Sequence, residues 1–415
     1  MKRSNLVLRH QSSRRRAAVA VLTAVTLVVL LVFASFAVDL GFVRAVCGDM
    51  QHTADTGALA GASALMQSDG KDTEDVRERA LDVIERMENT QGFEALDDQI
   101  IELGAWNANT GVFTPVNVAS GAKAFAVRVV GVRNRTPLFF AGVIGKYSTN
   151  VTREAVALGS GPCGGIWGLQ GVKAGSINTD SYDSTAGPYS ALTAGQDGDI
   201  CSGRDITVGG SAKIQGDVMP GFGYGLTVNG NSGEITGYTT SNTSPITSPT
   251  VDFGDAKYSN DNGTIPLTDK GTKPFKGSGW NLSLQGGENL ILAGGTYYLD
   301  SLKLSGGATI KVTGPTTIYL AGASDTTGGA IDNTTRDPHN LTILSAGTEF
   351  KLAGGGAFYA TLMAPNAAVT LGSGAVFYGT VVGKTLDLKG DFTMHVDESL
   401  PIVDFFDPPQ PSLVK

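Results

Sequence analysis

The sequence predicts an N-terminal transmembrane helix, then a small α+β domain, and then an all-β ectodomain folded as a right-handed parallel β-solenoid. Three observations predict this order. Residues 17–40 carry no charge except Asp39. One helical pattern, followed by strand-like runs separated by turn signals, occupies residues 71–160, and five short repeats recur within residues 161–400. A chain of 415 residues also exceeds the usual size of one core, so several structural units are expected.

The apolar segment 17–40 is long enough to span a bilayer, for which about 20 residues suffice. Three consecutive basic residues mark its N-terminal side: Arg14, Arg15 and Arg16. Arg44 is the next basic residue on the other side. By the positive-inside rule, the basic tail 1–16 is then cytoplasmic, and the chain beyond about residue 42 is extracytoplasmic.

A cleaved signal peptide is the alternative to a permanent anchor, because Ser35-Phe36-Ala37 resembles a signal-peptidase site. Signal-peptide cores are usually about 7 to 15 residues long. The apolar run of this chain is longer, which favours an anchor that crosses the membrane once and stays in place.

Charge and motif content exclude several function classes. The residues before Asp39 include six basic and no acidic side chains, whereas the rest of the chain carries 25 basic and 39 acidic ones. Such an acidic ectodomain argues against nucleic acid as a partner. The sequence has no Walker motif, no dinucleotide-binding glycine fingerprint and no Gly-x-Ser-x-Gly elbow, so no cofactor is predicted.

Residues 41–70 are predicted to continue the membrane helix as a stalk. Small and apolar side chains recur three and four positions apart on one face: Met50, Ala54, Ala58, Gly61, Ala62 and Leu65. Small residues permit close helix approach. This face therefore packs either on its own ectodomain or on other subunits of an assembly, and the first interpretation is favoured.

The anchor and stalk also carry an ordered set of motifs. The chain begins its apolar run at Arg15-Arg16-Ala17-Ala18-Val19-Ala20 and leaves it at Val38-Asp39-Leu40-Gly41. The next motif is Met50-Gln51-His52-Thr53-Ala54-Asp55-Thr56-Gly57-Ala58-Leu59-Ala60-Gly61-Ala62. This order resembles the N-terminal region of TadG/TadE-like Flp (tight-adherence) pilus-assembly proteins. Thr53 and Thr56 depart from a pattern that usually has alanine there.

The resemblance covers about one eighth of the chain and implies a bacterial protein of the cytoplasmic membrane with an exported ectodomain. The matching residues are Asp39 and Gly41 in the V-D-x-G exit, and Gln51, Ala54, Asp55 and Ala58 in the helix motif. It implies a role in pilus assembly, surface structure or adhesion, with other pilus-assembly or envelope proteins as partners. A cell-envelope scaffold unrelated to pili is an alternative.

Residues 71–160 are predicted to form the α+β domain. Residues 74–88 have an amphipathic helical pattern, and strand-like runs follow at 100–106, 124–132 and 149–158. The run Arg135-Thr136-Pro137-Leu138-Phe139-Phe140-Ala141 is strongly apolar after its first residue. We interpret it as core of this domain in preference to a partner-binding patch.

Five eleven-residue segments between 161 and 400 superimpose without gaps: Ile206 to Gly216, Leu302 to Val312, Phe350 to Ala360, Val369 to Gly379 and Leu386 to Val396. Each has apolar residues at positions one, three and nine, with small or polar turn residues between them. Alternation of this kind directs one face of each strand inward, and glycine permits a tight corner. Stacking such coils forms one continuous core, which predicts a solenoid in preference to a sandwich.

The C-terminal part of these repeats resembles the β-helical ectodomains of bacterial pilus-tip and surface-adhesion proteins, and bactofilin-type solenoids. The likeness is strongest from Phe358-Tyr359-Ala360-Thr361-Leu362 to the echo at Phe377-Tyr378-Gly379-Thr380-Val381. It implies a structural or adhesive module, with surface glycans as candidate partners. Residues 232–276 are predicted to be a long surface excursion or irregular coils, and residues 401–415 a Pro-rich tail.

The protein is predicted not to be an enzyme. A β-helix polysaccharide lyase or hydrolase is the alternative, and it requires acids gathered on adjacent coils. In the last repeat only Asp387 and Asp391 are acidic. The matching positions of the neighbouring repeats are mostly small or neutral residues.

Two further features leave alternatives open. Cys163 and Cys201 either form a disulfide, if the ectodomain is exported, or stay unpaired, whereas Cys47 is expected to be a buried small apolar residue in preference to a reactive thiol. Oxygen-bearing residues surround Gly328-Gly329 and form either a calcium site or a solvated acidic loop, and the loop is favoured: Asp325, Asp332, Asn333 and Asp337.

Overall fold

The computed structural model describes residues 4–67, 73–91, 97–107, 111–118, 124–159, 164–230, 234–239, 241, 246, 248–354, 356–372, 374–400 and 411–414. The chain divides into two units. Unit 1 comprises Met1–Ala105, Phe113–Leu158 and Leu413–Lys415, and unit 2 comprises Trp106–Val112 and Gly159–Ser412.

In chain order the helices and strands are α1 (Ser4–Gln67), α2 (Thr73–Gln91), β1 (Asp98–Asn107), β2 (Val112–Pro115), β3 (Ala126–Pro137), β4 (Ser148–Leu158), β5 (Ile166–Gly168), β6 (Val172–Ala174), β7 (Ile177–Tyr182), β8 (Ile200–Ser202), β9 (Ile206–Val208), β10 (Lys213–Ile214), β11 (Val218–Met219), β12 (Leu226–Val228), β13 (Glu234–Ile235), β14 (Asn281–Leu284), β15 (Asn289–Leu292), β16 (Gly295–Leu299), β17 (Ser301–Leu304), β18 (Ala308–Val312), β19 (Thr316–Leu320), β20 (Ser324–Asp325), β21 (Gly329–Asn333), β22 (Leu341–Ser345), β23 (Glu349–Ala353), β24 (Ala357–Gly372), β25 (Val376–Lys389), β26 (Phe392–Asp397) and β27 (Ser412–Leu413). Short 3-10 helices span Ala141–Ile144, Asn262–Thr264 and Pro338–Asn340.

Unit 1 packs the second half of α1 against a five-stranded sheet, and α2 packs on α1. The strand order is β2-β1-β3-β4-β27, and β3 pairs antiparallel with both β1 and β4. The buried face of α1 recurs every three or four residues: Val46, Met50, Ala54, Ala58, Ala62 and Leu65. It meets Val76 and Ile84 of α2 and Val127 and Val129 of β3. The structure thus confirms that this helix face packs within its own domain.

The first half of α1 differs from the second. Its apolar side chains from Val19 to Leu40 are all exposed. Within the described part of the chain, α1 is the one helix that is both long and apolar enough to cross a membrane. An exposed apolar helix surface of this length fits membrane anchoring.

Unit 2 is a parallel β-solenoid of about nine turns, as the repeats predicted. Each coil contributes one strand to each of three faces. Face A stacks β14, β17, β20, β23, the ends of β24 and β25, β6, β9 and β12. Face B stacks β15, β18, β21, the starts of β24 and β25, β26, β7, β10 and β13. Face C stacks β16, β19, β22, the middles of β24 and β25, β5, β8 and β11.

The predicted repeats coincide with this geometry, because each consists of one face A strand, a corner and one face B strand. Phe350 lies in register with Val369, and Val369 with Leu386. Position one of each repeat is buried in a common core. At the corner of the second repeat, Gly306 and Gly307 have φ angles of 60° and 76°, which glycine adopts without steric cost.

The coils do not stack in the order of the sequence. β5 and β6, the first strands of the solenoid, pair with β25, and β7 pairs with β26. Among the described strands, β12 and β13 therefore lie at one end of the stack and β14 and β15 at the other. The chain between β13 and β14 must return along the whole solenoid.

This return segment covers face C. The outward side chains of face C form an apolar ladder, in spatial order: Tyr298, Tyr319, Leu344, Met363, Val382, Trp167, Cys201 and Met219. Ile246 packs on the Trp167 end of the ladder, and the Phe253 ring lies 6.0 Å from Tyr298 and 5.4 Å from Tyr319. Apart from β13 and the short 3-10 helix at Asn262–Thr264, the described residues of the predicted excursion 232–276 form no helix or strand, and they bury a hydrophobic surface.

Candidate functional site at the end of the apolar helix

Asp39 is the acidic residue at the end of the apolar half of α1, and its side chain is only 4% exposed. Its carboxylate accepts hydrogen bonds from the backbone N–H groups of Phe139 (2.8 Å), Phe140 (2.9 Å) and Ala141 (2.7 Å). Ala141 begins a short 3-10 helix. An ionised carboxylate binds several backbone donors strongly, because charge-assisted hydrogen bonds are stronger than hydrogen bonds between neutral groups. Asp39 therefore fixes the 138–147 loop to the end of the apolar helix.

The loop that Asp39 holds presents its side chains outward. Phe139 is 61% exposed, Phe140 45%, Val143 88%, Ile144 63% and Tyr147 73%. Our interpretation of the 135–141 run as domain core is therefore wrong for its two phenylalanines. The physical reason is the Asp39 contact, because the backbone donors of residues 139–141 point at the carboxylate and leave the aromatic rings outside.

A ring contact adds to these hydrogen bonds. The Phe139 ring meets Phe42 of α1 edge to face, with ring centroids 5.2 Å apart. Such aromatic pairs contribute about 0.5–1.5 kcal/mol beyond the area that they bury. Loop and helix end are consequently joined by polar and apolar contacts alike.

The family-like helix motif positions α1 on the sheet. Gln51 donates from Nε2 to Asp55 Oδ1 (2.7 Å) and to the backbone oxygen of Glu154 in β4 (3.1 Å). Ala54 and Ala58 are fully buried. Gly41 has open space around it, since a β-carbon added there would meet no atom within 4 Å. Gln51, Ala54, Asp55 and Ala58 thus serve packing and orientation.

Some of the other site residues predicted from the sequence lie outside the described part of the chain. Arg14, Arg15 and Arg16 fall within α1, but their side chains are outside the described part. Cys201 is buried and disulfide-bonded, whereas Cys47 is a free cysteine that is only half-buried, not fully buried as expected. Cys163 lies outside the described residues, so its pairing with Cys201 stays a proposal.

A polar cluster with no counterpart among the sequence predictions lies on face B. Asp180 of β7 is in register with His395 of β26 and contacts its Nδ1. Tyr189 donates from its hydroxyl to Asp180 Oδ2 (2.7 Å), and its ring lies 3.7 Å from that of His395. Asp180 and His395 are both buried. Both oxygens of this carboxylate are therefore engaged inside the protein.

Asp397 lies in the same part of face B and has a similar structural role. Its Oδ1 accepts from the backbone N–H groups of Ser184 and Ser399, both at 3.1 Å, and from the Ser399 hydroxyl at 2.7 Å. Asp397 is 1% exposed. The lyase or hydrolase alternative needs carboxylates open to a sugar-sized cleft. These two acids instead hold the 183–199 loop against the solenoid.

Three oxygen-bearing side chains of the loop around Gly328-Gly329 cap its turns. Asp325 Oδ1 accepts from Thr327, Asn333 Oδ1 from Thr335, and Asp337 Oδ1 from the His339 backbone. Within the described ranges, no group of three His, Cys, Asp or Glu residues is arranged to hold a metal ion. The loop interpretation that we favoured fits these contacts better than a calcium site.

An open cleft of about 530 Å³ crosses the corners between faces C and A. Phe222 and Tyr224 expose their rings in it, and Gln170, Arg204 and Lys384 supply polar groups from successive coils. A cleft that combines exposed aromatic rings with cationic and amide side chains is suited to binding an acidic saccharide. The cleft is a concave polar surface on the solenoid.

Comparisons with known proteins bear on both units. Residues 60–157 match the family described as "Putative Tad-like Flp pilus-assembly", and residues 230–402 match the family described as "Domain of unknown function (DUF7305)". No curated protein matches the chain. The crystal structure of the competence-associated pilin ComZ from Thermus thermophilus is similar at 13% identity, covering 77% of this chain and 87% of that one, with a TM-score of 0.30. That score is too low to carry an argument.

The first of these matches begins inside the stalk and ends in β4, and so contains the Asp39-bound loop and most of the α1 packing partners. It follows directly on the anchor motifs at residues 15–62. Over residues 60–157, this chain is therefore similar to the Tad-like Flp pilus-assembly family, as its N-terminal motifs predicted.

Proposed function

We propose that this chain is a single-pass membrane protein of a Tad-like pilus system, acting in pilus assembly or surface structure through protein contacts. The observation that carries this proposal is the family match at residues 60–157, which begins within α1, the helix whose first half is exposed and apolar. The same match favours a role without catalysis. The engaged state of Asp180 and Asp397 gives further support, because neither acid is open to a substrate.

The proposal includes a location and an orientation. The tail 1–16 is cytoplasmic, α1 crosses the bacterial inner membrane, and the rest of the chain is extracytoplasmic. The arginine cluster at 14–16 supports this orientation. So does the disulfide-bonded state of Cys201, because disulfides persist in oxidising compartments outside the cytoplasm. We propose Cys163 as its partner, since Cys47 is free.

Affinity capture tests the proposal. The tagged full-length chain is crosslinked in native membranes, solubilised and captured, and the proteins recovered are quantified against an untagged strain. Enrichment of pilus-secretion components is the expected result. Their consistent absence, with other envelope proteins enriched instead, would favour the cell-envelope scaffold.

A second candidate function is glycan adhesion, which the cleft around Arg204 and Lys384 favours. A glycan array probed with the full-length protein tests it. Binding to uronate-containing glycans that is lost in Arg204→Ala and retained in Lys257→Ala, a change outside the cleft, would support adhesion. Equal binding by both variants would reject this cleft as the site.

A further inference from the structure

The 138–147 loop carries an unusual concentration of exposed apolar surface. Five large side chains within nine residues are 45–88% exposed: Phe139, Phe140, Val143, Ile144 and Tyr147. We call these five residues the loop patch. Soluble surfaces expose single apolar side chains routinely, but contiguous groups mark an interaction site. The loop patch is therefore expected to bind an apolar partner.

The position of the loop patch indicates which partner. Asp39 holds the backbone of residues 139–141, and Phe42 holds the Phe139 ring. Residues 39 and 42 lie at the end of the exposed apolar surface of α1, which extends to Leu40. In the proposed anchoring, this point of α1 is the outer boundary of the hydrocarbon layer. The patch thus continues the lipid-facing surface of the helix sideways.

The composition of the loop agrees with an interfacial position. Residues 138–147 contain no acid, and their one charged residue is the exposed Lys146, next to Tyr147. Tyrosine is enriched at membrane interfaces, and lysine reaches phosphate groups there. The carboxylate of Asp39 is enclosed by its three backbone donors and does not face outward.

We infer that the loop patch is a lipid-binding element that enters the outer leaflet beside α1, with Tyr147 and Lys146 at the headgroups. The inference rests on the proposed anchoring and extends it. A single helix leaves its ectodomain free to rotate and tilt. A second contact fixed by Asp39 would hold unit 1 in one orientation on the membrane surface.

Environment-sensitive labelling tests this inference. A Val143→Cys change in a Cys47→Ala background is labelled with the fluorophore NBD, and the full-length protein is reconstituted in phosphatidylcholine–phosphatidylglycerol vesicles. Val143 is suitable because it is 88% exposed, so labelling does not disturb the core. Brominated lipids then report contact with the acyl chains.

The matched control is Glu78→Cys in the same background. Glu78 is an exposed residue of α2, two positions after Val76. A β-carbon at Gly61 would lie 3.5 Å from the backbone oxygen of Val76. Gly61 follows Asp39 by 22 residues on α1, which places the control about 33 Å along the helix from the patch.

The expected result is a blue-shifted emission and at least twofold quenching by brominated lipids at position 143, with neither effect at position 78. Emission typical of water at both positions would overturn the inference. Shielding at position 143 without lipid quenching would also overturn it, because the patch would then be covered by protein. Failure of the protein to float with the vesicles would contradict the anchoring itself, and with it this proposal.

Discussion

The carboxylate of Asp39 lies 2.9 Å from the backbone nitrogen of Phe140, a residue 101 positions further along the chain. This hydrogen bond and its two neighbours join the end of the apolar helix to the loop after β3. They give a local structural reason for a V-D-x-G exit, because only an acid provides two strong acceptor oxygens for three donors.

We expect Asp39→Ala to lower the free energy of unfolding of unit 1 by about 2–4 kcal/mol, because it leaves backbone donors without their acceptor. Asp39→Asn keeps one oxygen and should cost less. The control is Asp82→Ala on α2, which removes an exposed ion pair with Arg86 and should cost under about 0.5 kcal/mol. Hydrogen exchange of the 139–141 amides in detergent provides the measurement. Unchanged protection in Asp39→Ala would contradict the role of this residue.

Close approach of α1 and α2 depends on Gly57. A β-carbon there would lie 2.7 Å from Ile84 Cγ1, which is buried, whereas nothing lies within 4 Å of one at Gly48. Gly48→Ala should stabilise α1 by up to about 1 kcal/mol through helix propensity. Gly57→Ala should instead destabilise by about 1–2 kcal/mol through overpacking. Thermal unfolding of both variants measures the difference, and equal effects would argue against the contact.

The stacking order of the solenoid predicts a specific pattern of crosslinks. Asp387 of β25 is in register with Lys173 of β6, although 214 positions separate them. Cysteines at 387 and 173 should therefore form a disulfide on mild oxidation, because adjacent parallel strands lie about 4.8 Å apart. Lys303 is closer in sequence but four strands away on the same face, about 19 Å.

The control pair is therefore Asp387→Cys with Lys303→Cys, which should not crosslink. Mass spectrometry of peptides from non-reduced protein identifies each product. A crosslink in the 387–303 pair, or its absence in the 387–173 pair, would show that the first strands of the solenoid do not stack on its last ones.

Alkaline pH should weaken the solenoid through its tyrosines. Burial, then the neighbouring Tyr359 and Asp180, raise the pKa of Tyr378 to about 12. The pKa values of Tyr182 and Tyr189 are also raised, again mainly by burial. A tyrosine has a pKa of about 10 in the unfolded chain, so between pH 10 and 12 the folded state binds more protons. The free energy of unfolding therefore falls as pH rises through this range.

Urea unfolding at pH 8, 10 and 11 measures this fall. Tyr378→Phe should flatten it, because the variant has no hydroxyl to ionise at this position. Tyr258→Phe, which changes a side chain that is 86% exposed, should leave the slope as it is. Equal slopes for the wild type and Tyr378→Phe would contradict the burial argument.

The sequence predicted those parts of the fold that repeat or alternate over many residues. The five repeats set the inward positions correctly, since Phe350, Val369 and Leu386 share one stack. The sequence did not predict the stacking order of the coils, because β5 and β6 have only three residues each and carry no signal of their partner strand. The loop patch was misassigned, since apolar composition alone does not distinguish a core from an exposed surface.

Part of the face B cluster can be recognised in the repeats. Tyr359, Tyr378 and His395 all occupy position ten of their repeats, and the structure stacks them with ring centroids 4.2 and 4.7 Å apart. Asp180, which lies in the first strands of the solenoid, is in register with His395 and continues this stack. The two residues meet because the coils do not stack in the order of the sequence. A long-range contact of this kind leaves no local pattern.

Gene deletion with pilus counting tests the proposed function most directly. In the native bacterium, surface pili are quantified by electron microscopy in the wild type, the deletion strain and the deletion strain expressing the full-length chain. The account predicts that pili are lost on deletion and restored by the full-length chain. Unchanged pilus number and length in the deletion strain would contradict it.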